Sequence, residues 1–337
     1  MADVARASGL SMTTVSFALN GRSDRVSADT QRRVLRIARE LDYKPNWRAR
    51  ALALRRSELI ALASARDSPL ASGMNEQISA GLCSVLHRRG YSPLLVSLLS
   101  EPQHWQTILS PDRVDGCLLS FPLPPDPMTV FRVSRLPTVV LNAESELPVP
   151  HVVPDDVRAA AEVTQLLIEH GHRRVAFVYP DDRPLQHFSV QLRRQGMTQV
   201  LREAGGLPVE VPFSIRNTAN LLAALRMAVP VTAAVVYDHW LALNLLVVAR
   251  QAGVKLPDEL SVVTFNDDEV LDVSYLPLTT VALPGTLIGS KGAEMLIDRI
   301  EQHVGSPARS TGRREVIRLP GSLIIRQSVV RQSVRST

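Results

Sequence analysis

The sequence predicts a small all-α helix-turn-helix head followed by a two-lobed α/β body with parallel sheets. Three observations carry this reading. At residue 58 the apolar spacing changes from i, i+3, i+4 stripes to short unbroken apolar runs that alternate with helical segments. Those runs lack polar alternation, which marks strands covered on both faces, as in parallel sheets. The charge divides at the same place: residues 1–57 hold 12 Arg or Lys against 5 Asp or Glu, a net of +7, in a chain whose total is +5.

The head is organised around DVARASGLSMTTVSFALN, residues 3–20. Val4 and Ala7 can share an apolar face on a first helix, and Gly9 supplies the turn. Ser11 stands where a helix N-cap belongs, with Thr14 three residues on. Val15, Ala18 and Leu19 form one apolar stripe. Ser11, Met12, Thr13, Ser16 and Phe17 lie opposite it, a small acid-free face suited to a major groove. After GRSDR, Val26-Ser27 introduces a third helix over 28–41. Its apolar stripe is Val34, Ile37, Ala38 and Leu41, with Arg32, Arg33, Arg36 and Arg39 on the other side. Pro45 stops it. The predicted domain is 1–45. Residues 46–57, NWRARALALRRS, read as a basic hinge segment, too short to be a stable helix alone.

The body, 58–330, reads as strands at 59–63, 91–99, 117–120, 138–141, 175–179, 233–237 and 261–265. Helices are expected at 73–89, 156–170, 191–204 and 241–252. Chain crossings between lobes are expected near 154, 283 and 319. The Pro-rich 122–127 stretch and 143–150 read as surface loops. The dimer face is placed on lobe-one helices, including 73–89 and 285–303.

Several function classes find no support. No apolar run reaches the roughly 18 residues of a membrane span. Asp3 and Arg6 fall in the first ten residues with no apolar region behind them, so no secretory signal is expected and the cytoplasm is the expected location. Cys83 and Cys117 show no metal or CxxC spacing and read as buried small hydrophobes. His170-Gly171-His172 is better explained by a turn than by a metal site. His239 beside Asp238 suggests acid–base work, but no nucleophile elbow, phosphate loop or dinucleotide signature accompanies it. The expectation is therefore no enzyme, no metal and no cofactor.

With these pieces in place, the chain resembles the lac-repressor (LacI/GalR) family of bacterial transcription regulators. DVARASGLSMTTVSFALNGR, RVSADTQRRVLRIARELDYKPN and the RALA of the hinge carry most of the resemblance. VDGCLL, EHGHRRVAFV, RRQG, AGVKLPDELSVVTFND, LPLTTV and LIIRQS add to it in the same order. The resemblance implies a helix-turn-helix DNA-binding head and a periplasmic-binding-protein-like body of two Rossmann-like lobes. It also implies a homodimer or tetramer, a pseudo-palindromic double-stranded DNA operator, and a small-molecule effector between the lobes, by default a sugar, with a nucleoside as runner-up. A solute-binding receptor without DNA function is the alternative, and the basic head speaks against it.

By the same resemblance Met12, Thr13 and Phe17 match base-reading positions, and Ser11, Thr14, Ser16 and Asn20 match phosphate-contacting ones. Arg25 and Ser27 add backbone contacts, Leu52 matches a minor-groove wedge, and Asn46 and Arg50 lie on the same hinge element. Phe17 stands where a polar reader is common, so base reading looks more apolar than polar. The residues that normally precede the DVA motif, and that cap the first helix, have no counterpart before Met1, so that helix is expected to be frayed or the start to lie upstream. For the effector, Arg193 matches a frequent ligand-contacting arginine, Asn266 stands where aspartate is more frequent, and Asp155 matches a cleft position. Asp67, Ser68, Phe121, Tyr237 and Asp238 follow strands whose ends should line the cleft. Each is also a residue type that turns and solvated loops favour.

Overall fold

A computed structural model describes residues 1–19, 25–43, 56–65, 73–99, 101–124, 126–181, 187–227, 229–302 and 313–332. Two compact units are present, Met1–Ser57 and Glu58–Thr337.

Among the described residues the first unit holds three helices, α1 (Ala2–Ser8), α2 (Met12–Leu19) and α3 (Ala28–Glu40). α1 forms without a side-chain cap at Met1 and ends on Gly9, whose φ of 64° is left-handed. It buries Val4, Ala5 and Ser8, whereas Ala7, expected beside Val4, is exposed. The Arg33 guanidinium donates to the Ser8 carbonyl at 2.8 Å, satisfying one of the acceptors that a helix end leaves open. Ser11 and Ser27 cap the next two helices by accepting from the Thr14 and Thr30 N–H groups at 3.1 and 3.2 Å. Val15 and Ala18 close the core against Val34, Ile37 and Ala38.

The second unit begins with β1 (Leu59–Ser64), α4 (Gly73–Arg88), β2 (Ser92–Ser97), α5 (Pro102–Ile108), β3 (Gly116–Ser120), α6 (Pro127–Ser134), β4 (Thr138–Leu141) and β5 (Pro150–Pro154). It continues with α7 (Asp156–Glu169), β6 (Arg174–Pro180), α8 (Ser189–Glu203), β7 (Leu207–Phe213), α9 (Ala219–Leu225), β8 (Ala233–Val236), α10 (His239–Gln251), β9 (Ser261–Phe265), α11 (Val270–Val273) and β10 (Thr279–Ala282). Then come α12 (Gly285–Gln302), β11 (Glu315–Leu319) and β12 (Ser322–Ile324). The strands form two sheets, ordered β11-β5-β4-β3-β1-β2 and β12-β10-β9-β8-β6-β7. Among the described strands all pairings are parallel except β12 with β10, an antiparallel edge that apolar runs could not announce. The chain passes from the first sheet to the second after β5, back after β10, and across again between β11 and β12.

Some elements depart from the sequence expectation for identifiable reasons. β7 reads LPVEVPF, and its prolines are tolerated because it is an edge strand. α5 and α6 each open on a proline, which suits the first helical turn although it reads as loop composition. The 143–149 stretch is irregular, yet Ala143, Leu147 and Val149 are core residues, not surface. Cys117 is buried, and burial pushes its thiol up to about 12; Cys83, expected to be buried, is exposed on α4.

α4 and α12 pack with their backbones in close approach. A Cβ at Gly81 would overlap the Thr286 carbonyl, and one at Gly289 the Ile78 carbonyl. Gly289→Ala should therefore lower unfolding stability by about 3 kcal/mol, the upper part of the overpacking range. Gly205→Ala meets only a left-handed φ in open space and should cost about 1 kcal/mol. Urea midpoints at unchanged m-value check both.

Candidate functional site

Two surfaces carry the candidate residues, one in each unit. In the first, α2 buries Val15 and Ala18, which turns Met12, Thr13, Ser16 and Phe17 outward to differing extents. Met12 is 57% exposed, Thr13 is exposed, and Ser16 and Phe17 are half-buried. The Ser11 and Thr14 hydroxyls, 2.8 Å apart, are engaged with each other at the start of the helix. Arg25 and Ser27 are exposed ahead of α3. Asn20, Asn46, Arg50 and Leu52 lie outside the described residues.

In the second unit, loops at the C-terminal ends of the two sheets meet. His187, beyond β6, places its ring centroid 4.2 Å from that of Phe121, beyond β3, in an edge-to-face contact. Its Nε2 donates to the Asn142 carbonyl, beyond β4, at 3.0 Å. That tautomer leaves Nδ1 to accept from the Ser189 N–H at 3.2 Å and to meet the Ser189 hydroxyl at 2.6 Å. Ser189 Oγ lies 3.2 Å from the Tyr237 hydroxyl, so one polar chain runs from lobe to lobe. Further along, Gly73 at the start of α4 faces His239 and Asp268, from the ends of β8 and β9. A cavity of about 560 Å³ opens beside the first of these seams, lined chiefly by Phe121, Leu123, Met128, Leu147 and Phe188. That volume suits a small molecule, and the wall is mostly apolar.

Arg193 forms the floor of lobe two's side. It is 3% exposed, and its Nε donates to Asp156 Oδ1 at 2.7 Å. A second donor, Nη1, reaches the Tyr237 carbonyl. The guanidinium lies 4.2 Å from the Phe265 ring centroid and 4.9 Å from that of Tyr237. Burial pushes the Asp156 carboxyl up, and the Arg193 charge opposes that shift. Burial likewise raises the Tyr237 phenol.

The structure thus brings Arg193 and Tyr237 together and sets Phe121 on the facing lobe. Asp155 and Asp238 each spend an oxygen on a helix N-cap, accepting from Arg158 and Leu241 N–H groups at 3.2 and 2.7 Å. Asn266 ends β9 at a φ of 68°, a conformation asparagine tolerates better than most residues, and its N–H donates to the Val281 carbonyl. Asp67 and Ser68 lie outside the described residues. Sequence reasoning passed over Asn142, Asp156, His187 and Ser189. Only Asp156 left a trace, as the second acid of a pair placed directly after a strand. The His170-Gly171-His172 stretch is a turn, with φ 90° at Gly171. There His172 meets Thr232 Oγ1, just before β8, at 2.9 Å and holds the C-terminal segment by donating to the Val330 carbonyl at 3.0 Å. Among the described residues no cluster of three metal-ligating side chains forms, and no helix is long and apolar enough to cross a membrane.

Because Asp156 is fully buried with Oδ2 unpartnered, Arg193→Met should cost about 3–5 kcal/mol by stranding a carboxylate. Adding Asp156→Leu should restore most of that loss, and chemical denaturation of the single and double variants measures both. An effector assay on the single variant alone would confuse instability with lost contact.

Known proteins place these two surfaces in context. Residues 1–46 match the bacterial regulatory proteins of the lacI family, and residues 164–329 match a periplasmic binding protein-like domain. The transcriptional repressor CytR of Escherichia coli K12 is 30% identical over 323 residues, covering 92% of each chain. The structure of a transcriptional regulator CelR–cellobiose complex superposes with a TM-score of 0.70 at 27% identity, over 97% of this chain and 98% of that one. The lac repressor dimer bound to operator and an anti-inducer shares the fold, with a TM-score of 0.79 at 24% identity and the same coverage. With its helix-turn-helix head and its two-lobed parallel-sheet body, the chain belongs to the LacI family of bacterial transcription regulators.

Proposed function

We propose that the protein is a dimeric repressor whose operator affinity is set by a sugar bound between the lobes. The observation that carries this is the pairing of a basic three-helix head with a body whose two lobes meet at their strand ends, beside an open apolar cavity lined by lobe one and Phe188. In this reading Met12, Thr13 and Phe17 touch base edges, while Ser11, Thr14, Ser16, Asn20, Arg25 and Ser27 hold phosphates. Residues 46–57 form the hinge, with Leu52 wedged in the minor groove and Asn46 and Arg50 beside it. Two such heads read a pseudo-palindrome, as protein two-fold symmetry requires. The relative solved with cellobiose supports a sugar. The rings of Phe121 and Phe188 suit the apolar face of a pyranose, with Tyr237, Asp155, Asp238, Asn266, Asp67 and Ser68 supplying polar contacts and Arg193, paired with Asp156, fixing Tyr237 through its carbonyl. The chain acts by binding and not by turnover, and works in the cytoplasm where its DNA is.

The effector acts by preferring one lobe arrangement, and it changes DNA affinity only as far as that preference goes. Fluorescence anisotropy against palindromes flanking the protein's own gene tests the reading. Affinity for the right palindrome should fall by about 10³-fold between 50 and 200 mM salt. Phe17→Ala should weaken specific binding by about 5- to 100-fold, the loss of one base contact, and leave binding to unrelated duplex nearly unchanged. Absence of salt-dependent binding to every such palindrome would sink the regulator reading.

A further inference from the structure

At the cleft, His239 is a buried polar side chain that the fold leaves unserved. His239 opens α10 and is 3% exposed, yet neither ring nitrogen has a hydrogen-bond partner. Its Nε2 lies 3.9 Å from Asp268 Oδ2, beyond hydrogen-bond reach, and Asp268 Oδ1 is taken by the Val270 N–H at 3.1 Å. Facing both, from the other lobe, is Gly73 at the first turn of α4. In lobe one, at the end of β1, the fully buried Ser64 hydroxyl is also unpartnered. An unserved buried polar atom is costly, and native structures rarely keep one without a use. Other buried histidines of this chain behave differently. His151 uses Nε2 on Ser145 and Nδ1 on the Val149 carbonyl, and His172 is satisfied on both sides.

The charges around the seam narrow what can arrive. Arg193 is committed to Asp156, and Arg326 is committed to Asp267 and Asp272 at 2.8 and 2.5 Å. Asp268 and the capping Asp238 sit next to the imidazole. Among the described residues, a phosphate or carboxylate would meet carboxylates here with no arginine released to receive it. A neutral imidazole offers one donor and one acceptor, and Asp268 adds an acceptor.

Resting on the effector reading above, we infer that His239 is the residue that reads the effector's polar end. That end is an uncharged hydroxyl- or amide-bearing group, not a phosphate ester or a carboxylate. The ligand's polar end completes the hydrogen bonds that the His239 ring leaves unmade, and its arrival parts the contact with the start of α4, where a Cβ on Gly73 would stand 3.8 Å from the imidazole.

Calorimetry on the full chain, with D-ribose, D-glucose, cellobiose, ribose 5-phosphate and glucose 6-phosphate as probes, tests this together with melting of the ligand-free variants. An uncharged sugar should bind more tightly than its phosphate ester. His239→Phe should weaken it by about 10-fold or more, the loss of one or two hydrogen bonds to a polar group, while His239→Gln stays within about 3-fold. Ligand-free, His239→Phe or the smaller His239→Leu should melt at or above the parent temperature, because each removes unserved polar atoms. Tighter binding of a phosphate ester overturns the inference, as does undiminished sugar binding by His239→Phe. So does a melting loss of about 5 °C or more in both apolar variants, since that marks a structural histidine. If none of the five probes binds, the melting comparison decides alone. Sugar binding that leaves the operator complex intact would refute the regulator reading and leave the assignment of His239 standing.

Discussion

A guanidinium sealed from water must be paired, and that constraint shapes the body's cleft. Arg193 is placed by α8, Asp156 by the first turn of α7, and the carbonyl that takes its second bond by the end of β8. Three elements that meet nowhere else in sequence are thereby fixed to one another within hydrogen-bond tolerance. α7 is also the first element after the chain leaves the first sheet, so the pair anchors lobe two at the point of crossing. Gly196 serves the same junction: a Cβ there would overlap the Val157 carbonyl, so α7 and α8 approach more closely than side chains permit. Close packing and a buried charge act together here. Without the tight approach the carboxylate would not reach, and without the carboxylate the guanidinium would have to be solvated.

The sheets supply the second half of the geometry. Parallel strands send all their C-terminal ends to one edge, and the loops beyond those ends are where side chains are free to face a ligand. Because the chain crosses between sheets, the two edges are brought together, and Phe121, Asn142 and Gly73 meet His187, His239 and Asp268. The seam holds two kinds of contact. At His187 every polar atom has a partner across or along the cleft. At His239 none has. A satisfied contact favours the arrangement in which it is made, and an unsatisfied one favours whatever completes it. A cleft with both has a defined resting state and a reason to respond to a ligand.

Much of the fold was legible because parallel strands need unbroken apolar runs, and ALAS, GCLLS, TVVL and AAVV each supply one. The head was legible because its caps and stripes repeat at helical spacing. What escaped notice lacks a periodic signature. β7 contains prolines and a glutamate, and only its edge position makes them harmless. The 143–149 segment has no regular structure but is pulled inward by Leu147 and Val149. The cleft histidines were less legible still. His187 stands alone in sequence, His239 adjoins only an Asp238 that caps the same helix, and the groups they face lie 45 and 29 residues away, at Asn142 and Asp268. Nothing local distinguishes a histidine that joins two lobes from one that fills a core. Asp155 and Asp238 show the converse. Their position after strands suggests ligand contact, yet the start of a following helix also requires an acceptor there, so position alone leaves both uses open.

The division of labour within the head follows from its chemistry. Its charge is spread over arginines that any duplex would attract, so affinity and its salt dependence carry little sequence information. In the proposed reading, discrimination falls to the outward face of α2, where exposed Met12 and half-buried Phe17 can sense methyl groups and shape but cannot form bidentate hydrogen bonds. An apolar reader of this kind discriminates modestly at each base pair. In the proposed dimer, selectivity for one operator comes from two heads acting at a fixed spacing, and from the ease with which the duplex bends between them. A regulator built this way is well placed to be controlled from its body. Under that proposal, altering the spacing of two individually weak readers removes most of the specificity without disturbing either reader.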